Sequence, residues 1–167
     1  MDKIKQLFLV AFSTLTLYSA AAVYEKTVFA EWDKPSINVF YVLPQEVNDQ
    51  TEILFIIHGN SRNADGYIEV WANHAKDKNI ILIAPEFSRS KFSNYNTLQM
   101  SSSTGKILKN RDLYLNNSID IMFNHYKNLF GVKTDLYKIY GHSGGAQFVQ
   151  RLSLIHIYEP TRPVPIS

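Results

Sequence analysis

Two stretches of this chain are apolar at every position: Ile53-Leu54-Phe55-Ile56-Ile57 and Ile80-Ile81-Leu82-Ile83-Ala84. A strand with one solvated face alternates apolar and polar residues. A short run with no polar position is instead a strand buried on both sides, as in the middle of a parallel sheet. Helical spacing follows each run. From Asp65 to about Lys78, Tyr67, Val70, Trp71, His74 and Ala75 recur at a helical period. Ile119, Met122, Tyr126, Leu129 and Phe130 do so again, with Asn117 as the expected cap and Gly131 as the stop. Ile37–Leu43 and Leu136–Tyr140 read as shorter strands, and a helix is expected from Ala146. Strands alternating with helices predict an α/β fold, a mainly parallel sheet with helices on both faces. Pro85 is expected to stop the second apolar run. Residues 87–109, rich in Ser and Asn and lacking either period, are expected to form a long surface excursion of the kind that builds binding walls.

Bulk properties narrow the possibilities. A chain of 167 residues, 46% apolar and 19% charged, suits one globular domain. Its formal net charge of +2 is too small to argue for nucleic acid or an anionic membrane surface as a partner. The sequence holds no cysteine, so these residues form no disulfide, no thiolate metal site and no lipid-bearing cysteine. No H-E-x-x-H or comparable spacing occurs among the five histidines, and no metal or other cofactor is expected. Ser103-Thr104-Gly105-Lys106 lacks the opening glycine and the hydroxyl residue after the lysine, so it is not a phosphate loop. Lys3 and Lys5, an apolar run from Leu7 to about Tyr18, and Ser19-Ala20-Ala21-Ala22 form the pattern of a secretory signal peptide. Residues 1–22 are therefore expected to direct export to the periplasm or the exterior without a stable membrane anchor.

The residues that carry chemistry are Gly141-His142-Ser143-Gly144-Gly145, a G-x-S-x-G pattern between an apolar strand and a helix. A serine hydroxyl must project freely into a cleft to meet both a base and a substrate, and a strained strand-to-helix corner achieves this. Such a corner folds the residues two before and two after the serine together, and Gly141 and Gly145 leave room for that. Acyl transfer also needs two N–H donors for the developing oxyanion, one of them from the residue after the nucleophile, here Gly144. The second is expected from the loop His58-Gly59-Asn60-Ser61, at the carboxyl end of the first apolar strand, with Asn60 favoured over Ser61.

Three segments together resemble a known group: His58-Gly59-Asn60-Ser61-Arg62-Asn63-Ala64-Asp65-Gly66-Tyr67, Ala84-Pro85-Glu86-Phe87, and Tyr140 through Phe148. They are similar to α/β-hydrolase serine esterases related to poly(3-hydroxybutyrate) depolymerases and feruloyl esterases, over about residues 37–151. The resemblance implies that Ser143 attacks the carbonyl of a small or polymeric ester while the Gly144 and Asn60 N–H groups hold the oxyanion. A serine peptidase, a thioesterase or a non-catalytic binding protein on the same scaffold remains an alternative.

The acid and histidine of such a triad follow the serine in that order. Here His156 precedes Glu159, with no strand between them, and His74, His125 and His142 read as structural. The stretch Leu152–Ile157 followed by Glu159-Pro160-Thr161-Arg162 resembles a translated sequencing-library adapter, and Pro160, Pro163 and Pro165 interrupt any helix. The expectation is a partial hydrolase domain over residues 23–151, a non-native tail over 152–167, and negligible turnover by the chain as written.

Overall fold

The computed structural model describes residues 24–158, with side chains to residue 155. The signal-peptide expectation for residues 1–22, and the tail beyond Tyr158, lie outside the described residues. The elements run β1 (Glu25–Phe29), β2 (Ile37–Val42), β3 (Glu52–Ile57), α1 (Ala64–Ala75), β4 (Ile80–Glu86), α2 (Ser118–Phe130), β5 (Lys138–Gly141) and α3 (Gly144–Tyr158). The strands form one sheet in the order β1-β2-β4-β3-β5. β4, β3 and β5 are parallel, whereas β1 and β2 add antiparallel pairs at one edge.

The all-apolar runs occupy the centre of that sheet for the reason their composition suggested. Ile53, Phe55, Ile57, Ile81 and Ile83 point into a core shared with α2 and α3. Leu54, Ile56, Leu82 and Ala84, one position out of step, point into a second core under α1. Both faces are thus covered, and successive side chains serve opposite layers.

Several expectations need correction. β4 does not stop at Pro85 but runs to Glu86, with Pro85 opposite Val39 of β2. The parallel register with β3 has ended by then, at Phe55↔Ile83, so β4 is an edge on that side. A residue without an N–H is tolerated in that setting. The buried stripe of α1 is Ala64, Ile68, Ala72 and Ala75, not the stripe through Tyr67, Val70, Trp71 and His74. Alanines let the helix lie on the sheet, and the bulkier aromatics are displaced to its rim, where Trp71 packs on Tyr140 at 4.9 Å between ring centres. In α2 the buried positions include Phe123 rather than Leu129, which is exposed. Gly131 does end that helix, in the left-handed conformation at φ 68°. Asn117 sits at the cap position, but its side chain makes no capping hydrogen bond.

The largest correction concerns residues 87–109. They are not simply a surface excursion, because Phe87, Phe92, Tyr95 and Leu98 are fully buried in the α2–α3 core. Phe87 stacks on Phe148 of α3 with ring centres 5.3 Å apart and meets Phe92 edge-on at 5.6 Å. The aromatics in this segment are spaced irregularly, so neither a strand nor a helix period reveals them. Phe92→Ala is expected to cost about 3–5 kcal/mol in urea denaturation, the cost of truncating a core phenylalanine. A change within about 0.5 kcal/mol, as for an ordinary surface site, would contradict the anchoring described here.

Candidate active site

The connection from β3 through α1 leads to β4 on one side of β3, whereas the path from β4 through α2 crosses back to β5 on the other. After β3 the chain enters α1 on one face of the sheet, and after β5 it enters α3 on the other, so the carboxyl ends of these neighbouring strands border a crevice, the usual ligand position in such sheets. Two loops meet there: His58–Asn63 after β3, and His142–Ser143 after β5.

The second loop is a sharp corner. Ser143 has φ 54°, in the left-handed region that an L-residue occupies at a cost of about 1–2 kcal/mol, and its side chain is exposed. The corner is held by the His142 N–H donating to the Ile57 carbonyl at 3.3 Å and the Gly145 N–H donating to the His142 carbonyl at 2.8 Å. Its glycines are required by contact. A β-carbon on Gly141 would collide with the Gly145 carbonyl, and one on Gly145 would collide with the Ile57 and His58 carbonyls. One on Gly144 would collide with the Asn60 side chain and stand 2.7 Å from the Tyr95 hydroxyl. Gly144 and Asn60 are therefore neighbours, as are Gly59 and His142: a β-carbon on Gly59 would lie 3.5 Å from the His142 ring.

The first loop is held from beneath. His58 is fully buried, and its Nε2 accepts the Phe87 N–H at 3.0 Å, so the ring proton lies on Nδ1, which donates to the Gly59 carbonyl at 2.8 Å. Burial, reinforced by the nearby charge of Arg62, pushes its pKa down to about 4 against the opposing hydrogen bond to Gly59. The buried Tyr95 hydroxyl donates to the His58 carbonyl at 2.7 Å, and burial raises its pKa to about 12. Arg62, itself at φ 66°, lays its guanidinium over the Tyr95 ring at 4.0 Å. It donates to the carbonyls of Phe87, of Phe92 at 2.9 Å and of Ser93 at 3.1 Å. Arg89 donates to the Asn60 carbonyl at 2.9 Å. Ser61 is exposed and donates to Asn63.

His142 turns toward α1, where its Nδ1 shares a 2.6 Å hydrogen bond with the Tyr67 hydroxyl. The two line a hollow of about 350 Å³ with Val70, Trp71 and Tyr140. Among the described residues no histidine ring or carboxylate is hydrogen-bonded to the Ser143 hydroxyl. His74 is exposed on α1, and His125 packs edge-on against Phe29 at 5.1 Å. Sequence reasoning gave no site role to Arg62, Tyr95, Tyr67 or Arg89. Their roles come from contacts across 25 to 75 positions of chain, which leave no local pattern.

A sheet of this order with a serine corner at its switch point is the fold of the α/β-hydrolases, in its esterase-like form. Solved structures agree. The chain is similar to poly(aspartic acid) hydrolase-1 from Sphingomonas sp. KT-1, with 34% identity and a TM-score of 0.71 over 83% of this chain and 53% of that one. LpqC, a poly(3-hydroxybutyrate) depolymerase from Bordetella parapertussis, shares 20% identity at a TM-score of 0.65 over 77% of this chain and 46% of its own. Acetyl xylan esterase from Aspergillus awamori shares 17% at 0.58, with the same coverage of 77% and 46%. These last two bear on the fold alone. The chain spans about half the length of each of these structures. No protein-family model and no curated protein sequence matches it.

Two outcomes follow from this geometry. An unfolded histidine takes up a proton near pH 6.5, whereas His58 in the fold resists it down to about 4, so the unfolded state binds more protons between those values. Stability is therefore expected to fall by about 3 kcal/mol as pH drops from about 6.5 to 4, and His58→Gln is expected to flatten that slope in urea titrations at stepped pH. An equal slope in both proteins would remove His58 as its source. Separately, Ser143→Gly is expected to be more stable than Ser143→Ala by about 1 kcal/mol, because only glycine adopts the corner without strain. Equal stabilities would mean the corner is not strained.

Proposed function

We propose that this chain carries the nucleophile and oxyanion loop of an exported serine hydrolase that cleaves carboxylic esters through an acyl-enzyme on Ser143. The observation that carries the reading is the exposed, left-handed Ser143 at the head of α3, beside the loop that contains Asn60. In this reading the Ser143 oxygen attacks the carbonyl carbon, and the oxyanion is held by the N–H groups of Gly144 and Asn60. The alcohol then leaves with a proton, and water hydrolyses the acyl-serine. Proton removal from Ser143 is assigned to a base outside the described residues. The small-residue corner and the positive end of α3 favour the negative charge that develops there. Export is supported by the pattern of residues 1–22. Among the described residues no helix is long and apolar enough to cross a membrane.

A second reading is favoured by one comparison. The solved structure that shares 34% identity is named as a hydrolase of poly(aspartic acid), whose backbone is joined by amides rather than esters. The same nucleophile and oxyanion donors serve amide cleavage, so a polymer amide is the alternative substrate.

The complete gene product is expected to react with a fluorophosphonate probe and to hydrolyse p-nitrophenyl esters. Ser143→Ala is expected to lose the label and about 10³-fold or more in kcat/KM. Labelling that survives in Ser143→Ala, with folding unchanged by circular dichroism, would refute the assignment.

A further inference from the structure

The segment between β4 and α2 is mostly cationic, with Asp112 near its end as its one acid. From Phe87 to Arg111 it contains Arg89, Lys91, Lys106, Lys109 and Arg111 and neither aspartate nor glutamate. The whole chain is only +2, so the remainder is net acidic. All five cations are exposed. None is paired with a carboxylate among the described residues, where the ion pairs use Lys34, Lys127, Lys133 and Lys138.

This positive segment is not remote from the crevice. Arg89 holds the Asn60 carbonyl, and the Asn60 side chain is the neighbour of Gly144. Arg62, anchored beneath the same loop, is near enough to feel the charge of Arg89, although burial is the larger cause of its lowered pKa. Two guanidinium groups gathered at one loop repel each other, and among the described residues neither forms an ion pair with a carboxylate. Lys91 and Lys109 line one hollow of about 390 Å³ with Ser93, whose carbonyl receives Arg62. Arg89 stands at the crevice loop, and Lys91, bonded to the Ser36 carbonyl at 2.6 Å, follows it two residues on. Exposed cations with no paired carboxylate suit an anionic ligand.

We propose that residues 87–111 form a carboxylate-reading wall that selects negatively charged acyl substrates. Arg89 binds the carboxylate nearest the reacting carbonyl, and Lys91 and Lys109 engage a further one along an anionic chain. The inference rests on Ser143 being the nucleophile, and it adds a substrate charge that the fold does not specify.

The test compares two esters of similar size on the complete gene product: p-nitrophenyl butyrate and the mono-p-nitrophenyl ester of succinic acid, which ends in a carboxylate. Using the ratio of their kcat/KM values divides out any loss common to both from a loosened Asn60. The expected result is a ratio favouring the succinate ester at low salt. Arg89→Gln is expected to reduce it about fivefold, the scale of one exposed charge contact. For the unaltered protein, raising NaCl from about 0.05 M to about 0.5 M is expected to shrink the ratio, since screening acts on exposed charges. The salt series keeps the test decisive should Arg89→Gln fail to fold. A ratio near one that is indifferent to salt and to Arg89→Gln, with the neutral ester cleaved and Ser143 labelled, overturns this proposal and leaves the serine hydrolase standing. Absence of both labelling and hydrolysis overturns both.

Discussion

The structure turns on the contact between the corner after β5 and the end of β3. Gly145 lies against the carbonyls of Ile57 and His58, and Gly141 lies against Gly145, with no room at either for even a methyl group. That closeness forces Ser143 into the left-handed region and so raises its hydroxyl above the sheet edge. It also brings Gly144 beside Asn60, because the two loops leave neighbouring parallel strands in register, Ile57 opposite Gly141. The strain at one residue is sustained by packing of the whole sheet around it.

A second set of contacts keeps the opposing loop in place. His58, Tyr95 and Arg62 form a stack beneath it, each bonded to backbone of another segment: His58 to Phe87, Tyr95 to His58 and Arg62 to Phe87, Phe92 and Ser93. The aromatic residues of the 87–109 segment supply the floor, while its cations are exposed to solvent. One stretch of chain thus contributes both to the core and, through Arg89, to the loop at the crevice. A neutral, buried His58 suits this role, since a protonated ring could not accept the Phe87 N–H.

The central strands were legible because burial on both faces leaves a mark at every position, and the corner was legible because its sterics demand glycine at fixed spacing. β1 was not foreseen, since Glu25–Phe29 is a short edge strand in which only Phe29 is buried, too little to leave a strand pattern. The stripe of α1 was misread in a physically instructive way. Large apolar residues outweigh alanine in any count of hydrophobicity, yet the face against the sheet is Ala64, Ile68, Ala72 and Ala75, where small side chains permit contact. Tyr67 and Trp71 were free to serve the rim beside His142 and Tyr140 instead.

By itself the sequence determined the layered α/β class, the serine corner and the neighbouring His58–Ser61 loop, since each depends on residues close together in the chain. Only the tertiary structure decided that Pro85 lies within β4, that residues 87–109 are anchored by their aromatics, and that Arg62, Tyr95 and Arg89 attend one loop. Those outcomes depend on which surfaces meet once the sheet has formed. Pairings between distant segments are chosen by shape, hydrogen bonding and excluded water, and none of these is written in the spacing of any single stretch.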